Sequence, residues 1–206
     1  METSQPSRKN FSPSDVDRNG CEQYIYVSLV EGRINQVHIQ AYEKKEGSWN
    51  SFFSCIGFVG ENGITAASEK REGDGKTPAG VYPFELAFGK YENPGTSMNY
   101  RQMDDEDVWV DDPSSPLYNT LQRLPSKGRW QSAEFMLLDN DVYDYGSVIG
   151  YNTKERVPGA GSAIFMHISQ GPTAGCLGMS REAMLKVLLW LDPAKNPAVE
   201  FALHSN

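Results

Sequence analysis

Cys176 stands in the run Pro172-Thr173-Ala174-Gly175-Cys176-Leu177-Gly178-Met179, nine positions after His167, which lies near the end of the apolar run 162–168. Thiolate chemistry needs a base within reach of the sulfur and hydrogen-bond donors facing the oxyanion that develops on the attacked carbonyl. A strand carrying the base, followed by a tight glycine-containing turn carrying the thiol, supplies both. The pattern points to cysteine acyl transfer: Cys176 as nucleophile, His167 as base, and the N–H groups of Ala174, Gly175 and Cys176 as oxyanion-hole donors.

Alternation along 162–168 places Ile164, Met166 and Ile168 on one face and Ala163, Phe165 and His167 on the other. Both faces are apolar up to His167, which predicts a strand buried between layers. A lone histidine in such a place is usually a satisfied core residue; the Gly-Cys turn so close behind it favours the base. Cys176 also precedes Ser180, a candidate helix N-cap, by four residues. The positive end of a helix and a neighbouring imidazolium both lower a thiol pKa, so the expectation is a depressed pKa and a thiolate near neutrality.

Other candidates have weaker settings. Cys55 lies in Phe52-Phe53-Ser54-Cys55-Ile56, among core-type residues, and Cys21 lies close to a polar start. In an oxidising compartment these two can pair and leave Cys176 free; in a reducing one both are inert thiols. His38 falls on the polar face of a strand, and His204 on the polar face of the last one. No CxxC pair or closely spaced histidine pair occurs, so neither a metal site nor a cofactor is expected. The loop 72–80 is glycine-rich, but it lacks the P-loop spacing and no helix pattern follows it.

The elements that must position the pair are mostly strands. Tyr24–Val30, Ile34–Tyr42, Phe52–Val59, Val81–Phe84, Val148–Asn152, Ser162–Ile168 and Val199–Leu203 each carry β-type residues bounded by turns. In the second, Val37, Ile39 and Ala41 share the inward face. Asp104–Asp112 reads as a solvated acidic loop flanking an anchored Trp109, and 113–133 as an irregular excursion over the surface. One helix is dependable, from the N-cap Ser180 with Glu182 in its first turn to Asp192-Pro193; Met184, Val187, Leu188 and Leu191 form its stripe, broadened by Leu185 and Leu189. The fold class is therefore mainly β with few helices.

At 206 residues, with 39% hydrophobic residues, the chain fits one globular domain, residues 22–206, behind a flexible lead-in over 1–21. A net charge of −8 argues against a phosphate-backbone partner. No run approaches the ~20 apolar residues needed to span a bilayer, and residues 1–10 hold no hydrophobic signal core. A cytoplasmic protein and an exported one lacking its targeting segment both fit.

Two signatures, Gly159-Ala160-Gly161-Ser162-Ala163-Ile164-Phe165-Met166-His167 and Pro172-Thr173-Ala174-Gly175-Cys176, resemble the L,D-transpeptidase (YkuD-type) catalytic domain. They are closer to the branch with Thr-x-Gly-Cys in place of Ser/Thr-His-Gly-Cys. Glu72-Gly73-Asp74-Gly75-Lys76-Thr77-Pro78-Ala79-Gly80 is similar to the family's approach turn, and Tyr151-Asn152 to its Tyr-Asn pair. The resemblance spans roughly residues 22–204. The second histidine of the usual turn is Ala174 here, which leaves His167 as the lone base, and Gly178-Met179 replaces the Arg or Asn often found after the cysteine.

The resemblance implies a β-sandwich or barrel with one main helix after the cysteine. It also implies Cys176 attacking a peptidoglycan stem tetrapeptide at a meso-diaminopimelate or L-lysine carbonyl, His167 returning the proton to the departing D-alanine, and transfer to an amine of a neighbouring stem as a 3→3 cross-link. Water as acceptor gives an L,D-carboxypeptidase, and a free D-amino acid gives exchange; a silent wall-binding module is the non-enzymatic rival. A backbone carbonyl at Ile168 or Ser169 would orient the imidazole. Tyr151, Asn152, Thr173 and Ser169 are candidate substrate contacts, carbapenem-type β-lactams candidate acylating inhibitors, and the extracytoplasmic space the implied location.

Overall fold

The computed structural model describes residues 20–203. In chain order the strands are β1 (Gln23–Leu29), β2 (Gln36–Lys45), β3 (Ser48–Phe58), β4 (Ile64–Thr65), β5 (Thr77–Pro78), β6 (Gly80–Gly89) and β7 (Tyr100–Gln102). There follow β8 (Asp107–Val110), β9 (Thr120–Arg123), β10 (Ala133–Phe135), β11 (Gly146–Ile149), β12 (Phe165–Ile168) and β13 (Leu177–Met179). The helix α1 (Arg181–Trp190), one 3-10 turn and β14 (Ala198–Phe201) complete the order. The mainly β class with one main helix is what the structure has.

A nine-stranded sheet runs β11-β12-β13-β3-β2-β1-β14-β6-β7, and β11 also pairs with β6. That extra pairing closes every strand but β7 into a ring, so the sheet has almost no free edge to protect. The alternation in β2 is obeyed: Val37, Ile39 and Ala41 are fully buried and His38 is exposed. They join Ile25, Val27, Val199 and Phe201 in the main core, with Met184, Val187 and Leu188 of α1 packed into it.

The helix starts where its cap requires: the Ser180 hydroxyl accepts from the Ala183 N–H at 3.2 Å. Its stripe is narrower than the sequence suggests, since Leu189 is exposed.

Outside the ring, β10-β8-β9 form a separate three-stranded sheet that brackets the excursion. Here the acidic-loop expectation is corrected. Asp107–Val110 is a fully buried strand, because Asp107 has partners: Arg101 at 2.6 Å and Arg123 at 3.0 Å. A buried carboxylate with two guanidinium donors is tolerated where an unpaired one is not. Trp109 is anchored as expected, its indole N–H donating to the Asn119 side chain at 2.8 Å. The strand predicted over 162–168 begins only at Phe165, because Ala163 adopts a left-handed φ of 53°. Val148–Asn152 is likewise cut short at Ile149, with Asn152 left-handed in the following turn.

Candidate active site

β12 and β13 lie parallel, with Met166 opposite Leu177, His167 opposite Gly178 and Ile168 opposite Met179. One register step back, Cys176 stands beside Phe165, two residues from His167 along the same pleated face. The turn that delivers it is held from several sides. The Thr173 hydroxyl donates to the Cys176 carbonyl at 2.7 Å and accepts from the Gly175 N–H at 3.1 Å. From the glycine-rich approach turn, the Thr77 hydroxyl donates to the Gly175 carbonyl at 2.7 Å. Gly175 has φ +151°, and a Cβ there would sit 3.0 Å from the Lys76 carbonyl oxygen, so only glycine fits.

The imidazole is oriented by the backbone. Nδ1 of His167 lies 2.9 Å from the Ile168 carbonyl oxygen. A carbonyl only accepts, so Nδ1 carries the proton and Nε2 keeps its lone pair. The Tyr143 ring packs edge-on against the imidazole, centroids 5.4 Å apart. The sulfur has other neighbours: Sγ donates to the Ala163 carbonyl at 3.3 Å and accepts from the Phe165 N–H at 3.3 Å. In this resting arrangement Cys176 and His167 share a face without a hydrogen bond between them.

The electrostatics run against the thiolate expectation. Burial pushes the Cys176 thiol up from 9.0 to about 12, and the Glu134 carboxylate adds to the rise; the Phe165 N–H and Lys70 pull the other way. Burial likewise holds His167 below its ordinary value, opposed by its bond to the Ile168 carbonyl. Both groups rest neutral. The helix dipole does not rescue the thiolate, because β13 separates Cys176 from α1 by about 10 Å of strand, and the dipole acts over roughly a single turn.

Of the three expected oxyanion donors, the Gly175 N–H donates to the Thr173 hydroxyl in this arrangement. The N–H groups of Ala174 and Cys176 make no hydrogen bond within the described residues. The other sequence candidates hold turns. Asn152 donates to the Val157 and Gly161 carbonyls at 3.1 and 2.9 Å and accepts from the Val157 N–H at 2.8 Å. The Tyr151 hydroxyl donates to the Ala160 carbonyl at 2.6 Å. Tyr151 also lines an open cavity of about 710 Å³ with Tyr82, Arg71 and Lys154. Neither Cys176 nor His167 borders that cavity, so it lies apart from the thiol chemistry. Ser169 donates to the Gly171 carbonyl at 2.7 Å.

Sequence reasoning missed Glu134, Tyr143 and Asn119. Tyr143 donates its hydroxyl to Glu134 and joins Trp109, Phe165, Phe88 and Cys176 in one apolar cluster. Nothing in the local sequence marks them, since Glu134 and Tyr143 approach the thiol, and Asn119 the neighbouring Ala163, only in the folded chain. Among the described residues no disulfide forms, so Cys21 and Cys55 do not pair. Cys21 donates to the Gln23 carbonyl at 3.0 Å, and Cys55 is pushed up to about 11 by burial. His204 lies outside the described residues. Among the described residues no group of three or more His, Cys, Asp or Glu is arranged to hold a metal ion, and no helix is long and apolar enough to cross a membrane.

No curated protein matches the chain. Among solved structures, "Structure of Bdellovibrio bacteriovorus Bd1075" is similar at TM-score 0.47 and 14% identity, over 90% of this chain and 49% of that one. The chain thus spans about half the length of that protein. The YkuD family, described as the L,D-transpeptidase catalytic domain, matches residues 22–199, and with that span matched the chain belongs to the L,D-transpeptidase catalytic domain family.

Proposed function

We propose that the protein is a cysteine acyltransferase acting on peptidoglycan stem peptides outside the cytoplasmic membrane. Cys176 Sγ forms a bond to the carbonyl carbon of the third stem residue, and the bond from that carbon to the D-alanine nitrogen breaks. His167 Nε2 takes the thiol proton and delivers it to the departing amine. An amine of a second stem then attacks the thioester, loses its proton to His167, and leaves a 3→3 cross-link with the thiol restored. The N–H groups of Ala174 and Cys176 face the oxyanion in both steps.

The observation that carries this reading is the His167 tautomer. With Nδ1–H held by the Ile168 carbonyl, the free lone pair belongs to a histidine on the same face as Cys176. Before the first step the thiol must leave the Ala163 carbonyl and turn toward Nε2, a side-chain rotation of the kind substrate binding can drive. Family membership supports the substrate class.

Incubation with defined disaccharide-tetrapeptides, with products read by mass, tests the proposal. Cross-linked dimers with loss of D-alanine are expected. Tripeptides alone would make it an L,D-carboxypeptidase, and D-amino-acid-substituted tetrapeptides an exchange enzyme. Unchanged substrate, with no carbapenem adduct on Cys176, would leave a wall-binding module.

A further inference from the structure

The thiol proton has an acceptor that the acyl-transfer scheme does not use. Cys176 Sγ points at the Ala163 carbonyl, and Ala163 holds φ +53°, a conformation alanine avoids. Its N–H is held by a side chain from the excursion. The Ala163 N–H donates to Asn119 Oδ1 at 3.1 Å, beside the Trp109 indole N–H at 2.8 Å on the same oxygen. Asn119 Nδ2 donates to the Tyr151 carbonyl at 3.1 Å, and its own N–H donates to the Val110 carbonyl at 2.7 Å. Asn119 is 2% exposed and is itself left-handed, at φ +57°. It is therefore fixed on every side and holds Ala163 rather than yielding to it.

We propose that Asn119 is a positioning residue for the nucleophile: by clamping Ala163 in the left-handed conformation it aims the Ala163 carbonyl at Sγ and holds Cys176 as a protonated hydrogen-bond donor, turned away from His167. This deepens the acyltransferase reading and rests on Cys176 being its nucleophile. A hydrogen bond made by the neutral form disfavours ionisation. The Phe165 N–H, donating to the same sulfur, favours the thiolate, so the carbonyl opposes it and adds to the rise that burial causes. The other titratable groups around the thiol are Glu134 of β10, Tyr143, Lys70 and His167; none of them contacts Asn119.

The test is the pH dependence of Cys176 alkylation in the full chain, followed by mass. In Asn119→Ala the midpoint should fall by about one pH unit, a tenfold gain in thiolate below it. Met136→Ala opens the same apolar cover without touching Asn119, so it reports hydration alone and should lower the midpoint by clearly less than Asn119→Ala does. An unchanged midpoint in Asn119→Ala, or an equal fall in both variants, overturns the proposal, the latter because simple hydration would explain it. Should Asn119→Ala not fold, the wild-type chain decides: its Cys176 S–H infrared stretch, identified as the band lost in Cys176→Ala, must sit at the hydrogen-bonded position. A free S–H band overturns the proposal. These readouts need no peptidoglycan, so a lowered midpoint with no stem-peptide turnover would sink the acyltransferase reading alone.

Discussion

On the inner side of the β12 segment, Ile164, Met166 and Ile168 are packed against α1 and the ring, at 4%, 0% and 2% exposure. On its outer side, Phe165 meets the rings of Trp109, Phe88 and Tyr143 at 5.1, 5.3 and 5.9 Å, and His167 and Cys176 lie in the same cover with Glu134 nearby. Both sides are dry. Only the outer one buries the thiol and the imidazole of the proposed chemistry, so desolvation there bears on reactivity, whereas around Ile164, Met166 and Ile168 it contributes stability.

The widest separation between the two sides comes from removing the chemistry. Cys176→Ala should abolish D-alanine release from muropeptides while the thermal melt stays cooperative, and His167→Ala should lower turnover by roughly 10²–10⁴. Retained turnover in either variant would remove that residue from the mechanism. On the opposite side, Met166→Ala should cost about 2–5 kcal/mol in urea denaturation and leave activity per folded molecule near normal. A large activity loss at unchanged stability would erase the distinction.

Protonation sharpens it further. With the thiol pushed from 9.0 toward about 12, the folded state keeps a proton that the unfolded chain gives up first. This contribution is complete below about pH 9 and falls as pH rises toward 12, by at most about 1.4 kcal/mol per pH unit. His167 acts at the other end: depressed by burial, it leaves the unfolded chain to take up a proton first, so stability falls as pH drops below about 6.5. Denaturation curves of wild type and Cys176→Ala between pH 8 and 11 should converge or cross as pH rises, the buried tyrosines being common to both. A constant difference would mean the thiol is not perturbed.

The smallest expected effect concerns the helix. Ser180→Ala removes the N-cap and should cost about 1 kcal/mol without moving the Cys176 alkylation profile, since β13 stands between them. A shifted profile would restore the helix dipole to the mechanism.

Much of this was legible in the chain. Alternation gave the inward face of 36–42 and the two buried faces of 162–168 because period-2 patterning is local, and the Ser180 cap was legible for the same reason. The Gly-Cys turn and His167 were visible as residue types at a short spacing, and the Ile168 carbonyl that meets the imidazole was one of the two that the family resemblance implied. Asp107–Val110 was misread as solvated because its neutrality partners, Arg101 and Arg123, lie on other strands. Tyr151, Asn152 and Thr173 looked like possible substrate contacts, yet their polar atoms hold turns whose geometry no local pattern announces.

The sequence alone determined which residues are candidates for the proposed chemistry and which elements bring them forward, since both follow from residue type and short-range periodicity. Tertiary structure alone decided the state in which they wait. The charge on a thiol depends on what surrounds it in space, and Glu134 comes near Cys176, and Asn119 meets Ala163 beside it, only once distant segments have folded together.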